Sequence, residues 1–195
     1  MSTITVVKKD GQAAIAADSL TKWGSIKETA AYVVNHEKIL RVGDYYLALV
    51  GPAAAMLVLK HFFASRRRVV RLDDVDQILA LWLDLHAALK ERYFLIPEEE
   101  EEDDFAFESS RMDVLITGPK GIFGVGADRA VQEYSRFYAY GYGGQYALGA
   151  MYAAYDDPAR SAEDIARLGV TAAAEFDDGT ALPVTSYALR LDARR

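Results

Sequence analysis

Hydroxyls, carboxylates and lysine amines are the groups through which this chain could do chemistry, because it contains no cysteine. Disulfide bonds, thiol nucleophiles and cysteine-ligated metal sites are therefore excluded. The three histidines, His36, His61 and His86, are too scattered to suggest a set of metal ligands. We expect no metal ion and no other cofactor, and a hydroxyl nucleophile would need a base close by.

The densest group of ionisable side chains is acidic. Seven acidic residues stand together between Glu98 and Asp104. Because like charges repel one another and resist packing, we expect an inserted loop at about 97–108. A solvated loop is the simplest interpretation. The alternative is a surface that repels acidic substrates or binds a cation or a basic partner.

The overall charge argues against a nucleic-acid partner. The formal net charge is −7, whereas neutralising phosphates requires clustered lysine and arginine. Only Arg66-Arg67-Arg68 and the terminal Arg194-Arg195 are locally basic. These clusters are interpreted as solvated surface or as contacts to a neighbouring subunit.

Length and composition predict a single domain over residues 1–195. A chain of 195 residues with 51% hydrophobic content can bury a core of ordinary size. We find no repeat of supersecondary size and no linker rich in proline, glycine and serine. The chain also lacks a run of about 18 apolar residues and the basic and apolar regions of a signal peptide. We expect no membrane association and a cytoplasmic location.

The first half of the chain is predicted to form strands and then two helices. Apolar and β-branched segments predict strands at Thr3–Lys8, Gln12–Ala17 and Tyr45–Val50, with a hairpin turn at Asp10-Gly11. A helix over Ala53–Ala64 follows Gly51-Pro52. Asp73 or Asp74 can cap a second helix, whose apolar positions are Val75, Ile78, Leu79, Trp82, Leu85 and Leu89. We expect these two helices to lie side by side.

The second half repeats this order. Strands are predicted at Met112–Thr117, Ile122–Gly126 and Phe137–Ala139, with a turn at 118–121 between the first two. Two helices follow, at Gly144–Tyr155 and Ala162–Phe176, and a last strand spans Pro183–Leu191. This order suits an α+β fold of four layers, αββα, in which two packed sheets lie between helices. The pattern alone leaves several kinds of α+β sandwich open.

Particular segments carry a resemblance that covers nearly the whole chain. They are Ser2-Thr3-Ile4-Thr5-Val6-Val7, Ala16-Ala17-Asp18-Ser19, Lys38-Ile39-Leu40-Arg41, Leu49-Val50-Gly51 and Gly141-Tyr142-Gly143-Gly144. In this order and at this spacing, the chain resembles the proteasome β-type subunits and the bacterial heat-shock-locus peptidases. It is most similar to the betaproteobacterial proteasome homologues. The resemblance implies a fold of the N-terminal nucleophile hydrolase type.

The resemblance implies that Ser2 is the nucleophile once Met1 has been removed. A free α-amino group, with a reference pKa of about 7.7–8.0, can accept the proton of the hydroxyl and later donate it to the leaving amine. Ser2 is small enough to suit removal of Met1 by methionine aminopeptidase. The family usually has threonine here, whose extra methyl group restricts χ1, so we expect serine to be competent but less preorganised.

The resemblance also implies supporting residues. Lys38 matches the lysine that favours the alkoxide form of the nucleophile, and Asp18 matches the aspartate that pairs with it. Gly51 matches the residue whose backbone N–H serves as the oxyanion hole. Asp177 and Thr180 match supporting positions near the final strand.

Two departures from the family pattern adjoin these positions. Pro52 follows Gly51 where a second glycine is commoner, yet proline is tolerated in the first turn of a helix. Tyr142 stands where the family generally has a serine near the amine of the nucleophile. We expect its larger side chain to point elsewhere or to narrow the pocket.

The function implied by the resemblance is that of a self-compartmentalising peptidase subunit acting on peptides or unfolded proteins. Leu49 and Ala53 should form the wall nearest the nucleophile, and Lys22 should lie on the strand that pairs with substrate. Stacked homo-oligomeric rings and an ATPase unfoldase are the implied partners. We expect the apolar segment Met56-Leu57-Val58-Leu59, followed by Phe62-Phe63, to supply surface for ring contacts. The alternative is that these helix faces are buried within the subunit. The alternative function, suggested by Ser2, Tyr142 and the acidic segment, is a ring assembly with little or no proteolytic activity.

Overall fold

The computed structural model describes residues 2–66, 69–95 and 108–193. Within these residues there are eleven strands and four helices. The predicted acidic loop falls outside them except for Glu108, and so do Met1 and Arg194-Arg195. No helix in the described part of the chain is long and apolar enough to cross a membrane.

The first sheet has four antiparallel strands and carries the N-terminus of the chain. Its order is β10-β1-β2-β11, from β1 (Thr3–Lys9), β2 (Gln12–Ala17), β10 (Phe137–Gly141) and β11 (Thr185–Arg190). The turn between β1 and β2 contains Asp10 and Gly11, both at positive φ, which glycine and aspartate tolerate better than most residues. In the resulting register Ile4 lies opposite Ala17.

The second sheet has five antiparallel strands in the order β5-β6-β7-β8-β9. The strands are β5 (Ile39–Val42), β6 (Tyr45–Val50), β7 (Asp113–Gly118), β8 (Gly121–Val125) and β9 (Val131–Tyr134). A separate two-stranded hairpin consists of β3 (Thr21–Trp23) and β4 (Ile26–Glu28).

The helices are α1 (Ala53–Ala64), α2 (Val75–Glu91), α3 (Gly144–Ala154) and α4 (Ala162–Phe176). Asp74 caps α2 by accepting a hydrogen bond from the Gln77 N–H at 2.8 Å. Ser161 and Asp164 cap α4 reciprocally, because each side chain accepts the backbone N–H of the other residue. Such caps satisfy N–H groups that have no partner within the helix.

The helices and sheets form four layers, and one hydrophobic cluster fills each of the three spaces between them. Side chains of β1 and β2 on one face, such as Val7 and Ala14, pack with α3 and α4. Side chains on the other face, such as Ile4 and Ile15, pack against the second sheet. The far face of the second sheet packs with α1 and α2 around Trp82. The predicted αββα sandwich is confirmed, with the two sheets in its middle.

Most predicted elements are present, and their bounds differ by few residues. Strands β2 and β6 and helices α1 and α4 have the predicted bounds, whereas β7 and β8 are shifted by one residue and β10 extends to Gly141. The chain pattern did not predict β3, β4, β5 or β9, although the resemblance placed Lys22 on a strand. These strands have three or four residues each, so none of them shows a long apolar alternation.

The apolar residues of α1 do not supply the surface for ring contacts that the sequence predicts. Instead, Leu59, Phe62 and Phe63 are buried in the core of the subunit, and Met56 and Val58 pack against that core. Only Leu57 of this segment is largely exposed, at 57%. The apolar helix face is therefore used within the subunit.

Candidate active site

The first hairpin brings the start of the chain next to Asp18. Ser2 directly precedes β1, and Asp18 directly follows β2. Because the two strands are antiparallel neighbours, these ends meet. The Thr3 N–H donates to Asp18 Oδ1 at 3.0 Å, and the Asp18 N–H donates to the Thr3 carbonyl at 3.2 Å. Both Ser2 and Asp18 are buried.

Asp18 and Lys38 form an ion pair. Lys38 Nζ lies 2.7 Å from Asp18 Oδ1 and also donates to the Leu20 carbonyl at 2.6 Å. The second carboxylate oxygen of Asp18 accepts the N–H groups of Leu20 at 3.0 Å and Ala181 at 3.3 Å. A buried carboxylate is costly unless it is paired and hydrogen-bonded. Asp18 satisfies both conditions.

The protonation of Lys38 is shifted by its surroundings. Burial lowers the pKa of Lys38 below its ordinary value, and the charge and hydrogen bond of Asp18 oppose this effect. Lys38 thus holds its proton less tightly than a surface lysine, while its ammonium form has a dedicated partner.

The backbone of Ser2 is held by the segment that enters α3. The Tyr142 N–H donates to the Ser2 carbonyl at 3.0 Å. Gly141 has a φ of +105°, and a Cβ there would stand 1.9 Å from the Ser2 oxygen, so only glycine fits. The Tyr142 side chain is 68% exposed and does not line the cleft described below. The phenol therefore points elsewhere, which was one of the two expectations.

Thr3 connects Ser2 to the predicted supporting residues. Its Oγ1 lies 2.6 Å from the Thr180 Oγ1 and accepts the Gly143 N–H at 3.1 Å. Thr180 in turn donates to Asp177 Oδ2 at 2.6 Å. Thr180 thus contacts the residue after the candidate nucleophile, Asp177 holds Thr180, and neither lines the cleft.

Gly51 lies at the exposed turn between β6 and α1. A Cβ at Gly51 would stand 2.9 Å from Met112 Cβ and 3.1 Å from the Arg111 carbonyl. The structure therefore gives a packing reason for glycine at this position, separate from any approach of a substrate. Pro52 follows as the N-cap of α1, a position near which proline is compatible with helix geometry.

A cleft of about 570 Å³ opens in front of these residues. It is lined by six of the nine predicted site residues, which are Ser2, Lys22, Lys38, Leu49, Gly51 and Ala53. One wall follows α1 through Ala53, Met56, Leu57 and Lys60, at the spacing of one helix face. The opposite wall includes β3 and the loop before Lys38. A cleft of this size can receive several residues of a peptide.

Several groups in the site were not predicted from the sequence. Thr3 and Gly143 were seen only as parts of family segments, the carbonyl of Leu20 that binds Lys38 was not singled out, and Asp178 was not considered. These groups act through backbone atoms or through contacts between residues distant in the chain. No residue pattern in one sequence signals such contacts.

Comparison with solved structures finds similar chains. Thiobacillus denitrificans BPH is 56% identical and has a TM-score of 0.93, with 98% of this chain and 100% of that chain covered. A structure of the same protein in complex with Epoxomicin has 56% identity, a TM-score of 0.91 and the same coverage. Eukaryotic HslV from Trypanosoma brucei shares the fold at 16% identity and a TM-score of 0.67, with 96% and 99% of the two chains covered.

The other two comparisons found no match. No family model matches this chain, and no curated protein matches it.

Proposed function

Because this chain belongs to the family of bacterial proteasome homologues (BPH), within the proteasome β-subunit and HslV group, we propose that it is a peptidase subunit with Ser2 as its N-terminal nucleophile. The observation that carries the proposal is the placement of Ser2 in one cleft with the ion-paired Lys38 and with Gly51. The complex of Thiobacillus denitrificans BPH with Epoxomicin supports the same conclusion, since that chain is 56% identical over its full length.

The proposed reaction requires removal of Met1, which leaves a free amine on Ser2. The amine accepts the proton of the Ser2 hydroxyl while Oγ attacks the carbonyl carbon of the peptide bond. Negative charge develops on the carbonyl oxygen, where we assign stabilisation to the Gly51 N–H. The protonated amine then gives its proton to the leaving amine as the C–N bond breaks. Water hydrolyses the resulting ester and restores the serine.

Each remaining site residue receives a role. Lys38 supplies a positive charge that stabilises the developing alkoxide of Ser2. Asp18 orients Lys38 and fixes Thr3, whereas Asp177 and Thr180 hold Thr3 from the other side. Leu49, Ala53 and Lys22 line the cleft as candidate substrate contacts. We further propose a cytoplasmic, ring-shaped homo-oligomer supplied with unfolded protein by an ATPase.

Labelling with a peptide epoxyketone tests this function. The protein is first analysed by intact mass, which should show that natively expressed material begins at Ser2. Incubation with the epoxyketone should then add one inhibitor mass per subunit, and peptide mapping should place it on Ser2. Retained Met1 in native material, or an inhibitor adduct elsewhere, would contradict the proposed nucleophile. Ser2→Ala is the control that should not be labelled.

A subunit that assembles without hydrolysing peptides is the competing function. Tyr142 was one of the departures that suggested it, and its exposed side chain removes that reason. An assembled particle that begins at Ser2 and still takes up no epoxyketone would favour the competing function.

A further inference from the structure

The hairpin of β3 and β4 forms part of the cleft wall and has little support of its own. It is a two-stranded sheet of three residues per strand, and isolated two-stranded hairpins are marginally stable. Lys22, Trp23 and Glu28 of this hairpin line the cleft. The Trp23 indole N–H donates to Glu28 at 3.0 Å, so that hydrogen bond stays within the hairpin.

Two like charges face each other across the hairpin. Lys22 and Lys27 are partners in its register. Directly opposite residues of an antiparallel pair project from the same face, and like charges in such positions are destabilising. The hairpin therefore needs a nearby carboxylate.

Asp178 supplies this carboxylate from a distant part of the chain. Lys22 Nζ lies 2.5 Å from Asp178 Oδ2, and the side chains are 9% and 76% exposed, respectively. Among the described residues, this is the only side-chain hydrogen bond or ion pair that joins residues 21–28 to the rest of the subunit. The hydrogen bond and charge of Lys22, with a smaller effect of Lys27, lower the pKa of Asp178.

The loop that carries Asp178 also carries the groups that hold Thr3. Asp177 and Thr180 flank it and form the chain of hydrogen bonds to Thr3 Oγ1. The next residue, Ala181, donates its N–H to Asp18 and accepts the Ser19 N–H. Both the hairpin wall and Thr3, the residue after the candidate nucleophile, are therefore attached to one short loop, 177–181.

We propose that Asp178 is a positioning residue, which docks the β3–β4 hairpin through Lys22 onto the loop that holds Thr3 and so sets the substrate-facing wall relative to Ser2. This inference rests on the proposed function for its effect on catalysis. The docking itself does not depend on activity. It also gives the Lys22 ammonium a structural partner in Asp178, whereas the resemblance implies that Lys22 contacts substrate.

Hydrogen exchange on the full-length assembled protein tests the docking. Asp178→Asn and Lys22→Met should each increase exchange of amides within 21–28 by about two- to fivefold, the range expected for a partly exposed ion pair. Lys27→Met is the matched control, since it removes the same charge from the facing position and keeps the pair. In Lys27→Met, the amides within 21–28 should exchange at the same rate as in the unmodified protein or more slowly. Unchanged exchange in Asp178→Asn would overturn the proposal.

Peptide cleavage tests the consequence for catalysis. Each single variant should lower kcat/KM by about two- to fivefold, mainly by raising KM, because the pair touches no reacting atom. The double variant should lose no more than either single variant, since both remove one interaction. Exchanging the charges, with Lys22→Asp and Asp178→Lys together, should restore activity. Additive losses, or no rescue by the exchange, would overturn the role.

The two proposals can fail separately. If the unmodified protein is not labelled at Ser2 but Asp178→Asn still increases exchange in 21–28, the docking stands and the proposed function falls. If the unmodified protein is labelled at Ser2 and Asp178→Asn leaves exchange in 21–28 unchanged, the proposed function stands and the docking proposal falls.

Discussion

At the scale of single residues, Asp18 is the centre of the site because it binds four donors. Its carboxylate accepts Lys38 Nζ and the N–H groups of Thr3, Leu20 and Ala181. The side chain is fully buried, so each donor offsets part of the cost of burying its charge. This arrangement separates two tasks. The three backbone donors fix the position of the carboxylate, and Lys38 adds a positive charge beside the cleft.

Lys38→Ala should therefore abolish function without unfolding the subunit. We expect labelling of Ser2 by a peptide epoxyketone to fall by about 10²–10³-fold, as for removal of one stabilising group in other hydrolases. Loss of the charge partner of Asp18 should lower the free energy of unfolding by about 3–5 kcal/mol, and the three remaining backbone donors should keep the subunit folded and assembled. Labelling rates by mass spectrometry and particle mass by light scattering check this. Labelling equal to that of the unmodified protein would show that the lysine has no catalytic role.

The lowered pKa of Lys38 predicts an alkaline limit to the reaction. The labelling rate should rise as the Ser2 amine loses its proton and should fall again as Lys38 loses its own, below the ordinary lysine value of 10.5. In Lys38→Arg, residual labelling should lack the alkaline fall, because arginine keeps its proton. A plateau up to pH 10.5 in the unmodified protein would contradict the assignment.

Unfolding does not explain that alkaline fall. A lysine whose pKa is lower in the folded than in the unfolded state binds fewer protons when folded. Its contribution to the free energy of unfolding therefore increases with pH between the lowered and the ordinary pKa. Urea unfolding at the same pH values separates the two effects.

At the scale of elements, the start of α3 is fitted tightly between β1 and α4. Gly143 is the N-cap of α3 and donates its N–H to Thr3. A Cβ at Gly143 would stand 2.6 Å from both Ala173 Cβ and Thr3 Oγ1. Its φ of −84° is open to any residue, so the requirement for glycine is steric.

In Gly143→Ala, the added methyl group should therefore clash with Ala173 and Thr3. Overpacking of this kind costs about 1–3 kcal/mol, and displacement of Thr3 should also slow labelling of Ser2. Gly149→Ala is the matched control, because that glycine lies within α3 and nothing lies within 4 Å of an added Cβ. It should increase stability by up to about 1 kcal/mol. Urea unfolding and labelling rates measure both variants, and an equal effect of the two would refute the steric argument.

Elements with long apolar patterns were predictable from the sequence, and contacts between distant elements were not. The buried faces of α2 and α4 repeat at helical spacing, which the sequence displays directly. Asp178 lies 156 residues from Lys22, and nothing near either residue signals their pairing. The resemblance predicted roles for Asp18, Lys38 and Gly51, and these roles stay predictions. The contacts of Thr3 could not be predicted, because they depend on how β1, α3 and the loop 177–181 pack together.

At the scale of the whole molecule, exposed apolar side chains remain after the core is filled. One group lies on or beside α3 and α4: Tyr142, Tyr146, Tyr152, Phe176 and Leu182. Tyr146 and Phe176 are in ring contact, with centroids 5.6 Å apart. A second group follows the hairpin and the next loop: Trp23, Ile26, Tyr32 and Val34. Contiguous apolar groups on a subunit surface mark protein contacts more often than isolated side chains do.

These groups replace the α1 segment as the physical reason to expect a ring. We predict that light scattering at micromolar concentration gives a mass many times that of the 21.5 kDa subunit. Since apolar contacts are screened little by salt, the mass should persist from low to high ionic strength. Phe176→Asp places a charge within the α3 and α4 group, and it should lower the mass if that group is buried between subunits.

Lys120→Asp is the control for that variant, because Lys120 lies in the turn between β7 and β8, pairs with Asp192 and belongs to neither apolar group. Both variants place an aspartate at an exposed position, and the change of charge is larger in Lys120→Asp, so a loss of mass in Phe176→Asp alone reports the apolar contact. Closed rings leave no unmatched surface, and an assembly of this kind should show one discrete mass rather than a distribution. A mass near one subunit at every salt concentration would contradict both the ring and the enclosed peptidase that depends on it.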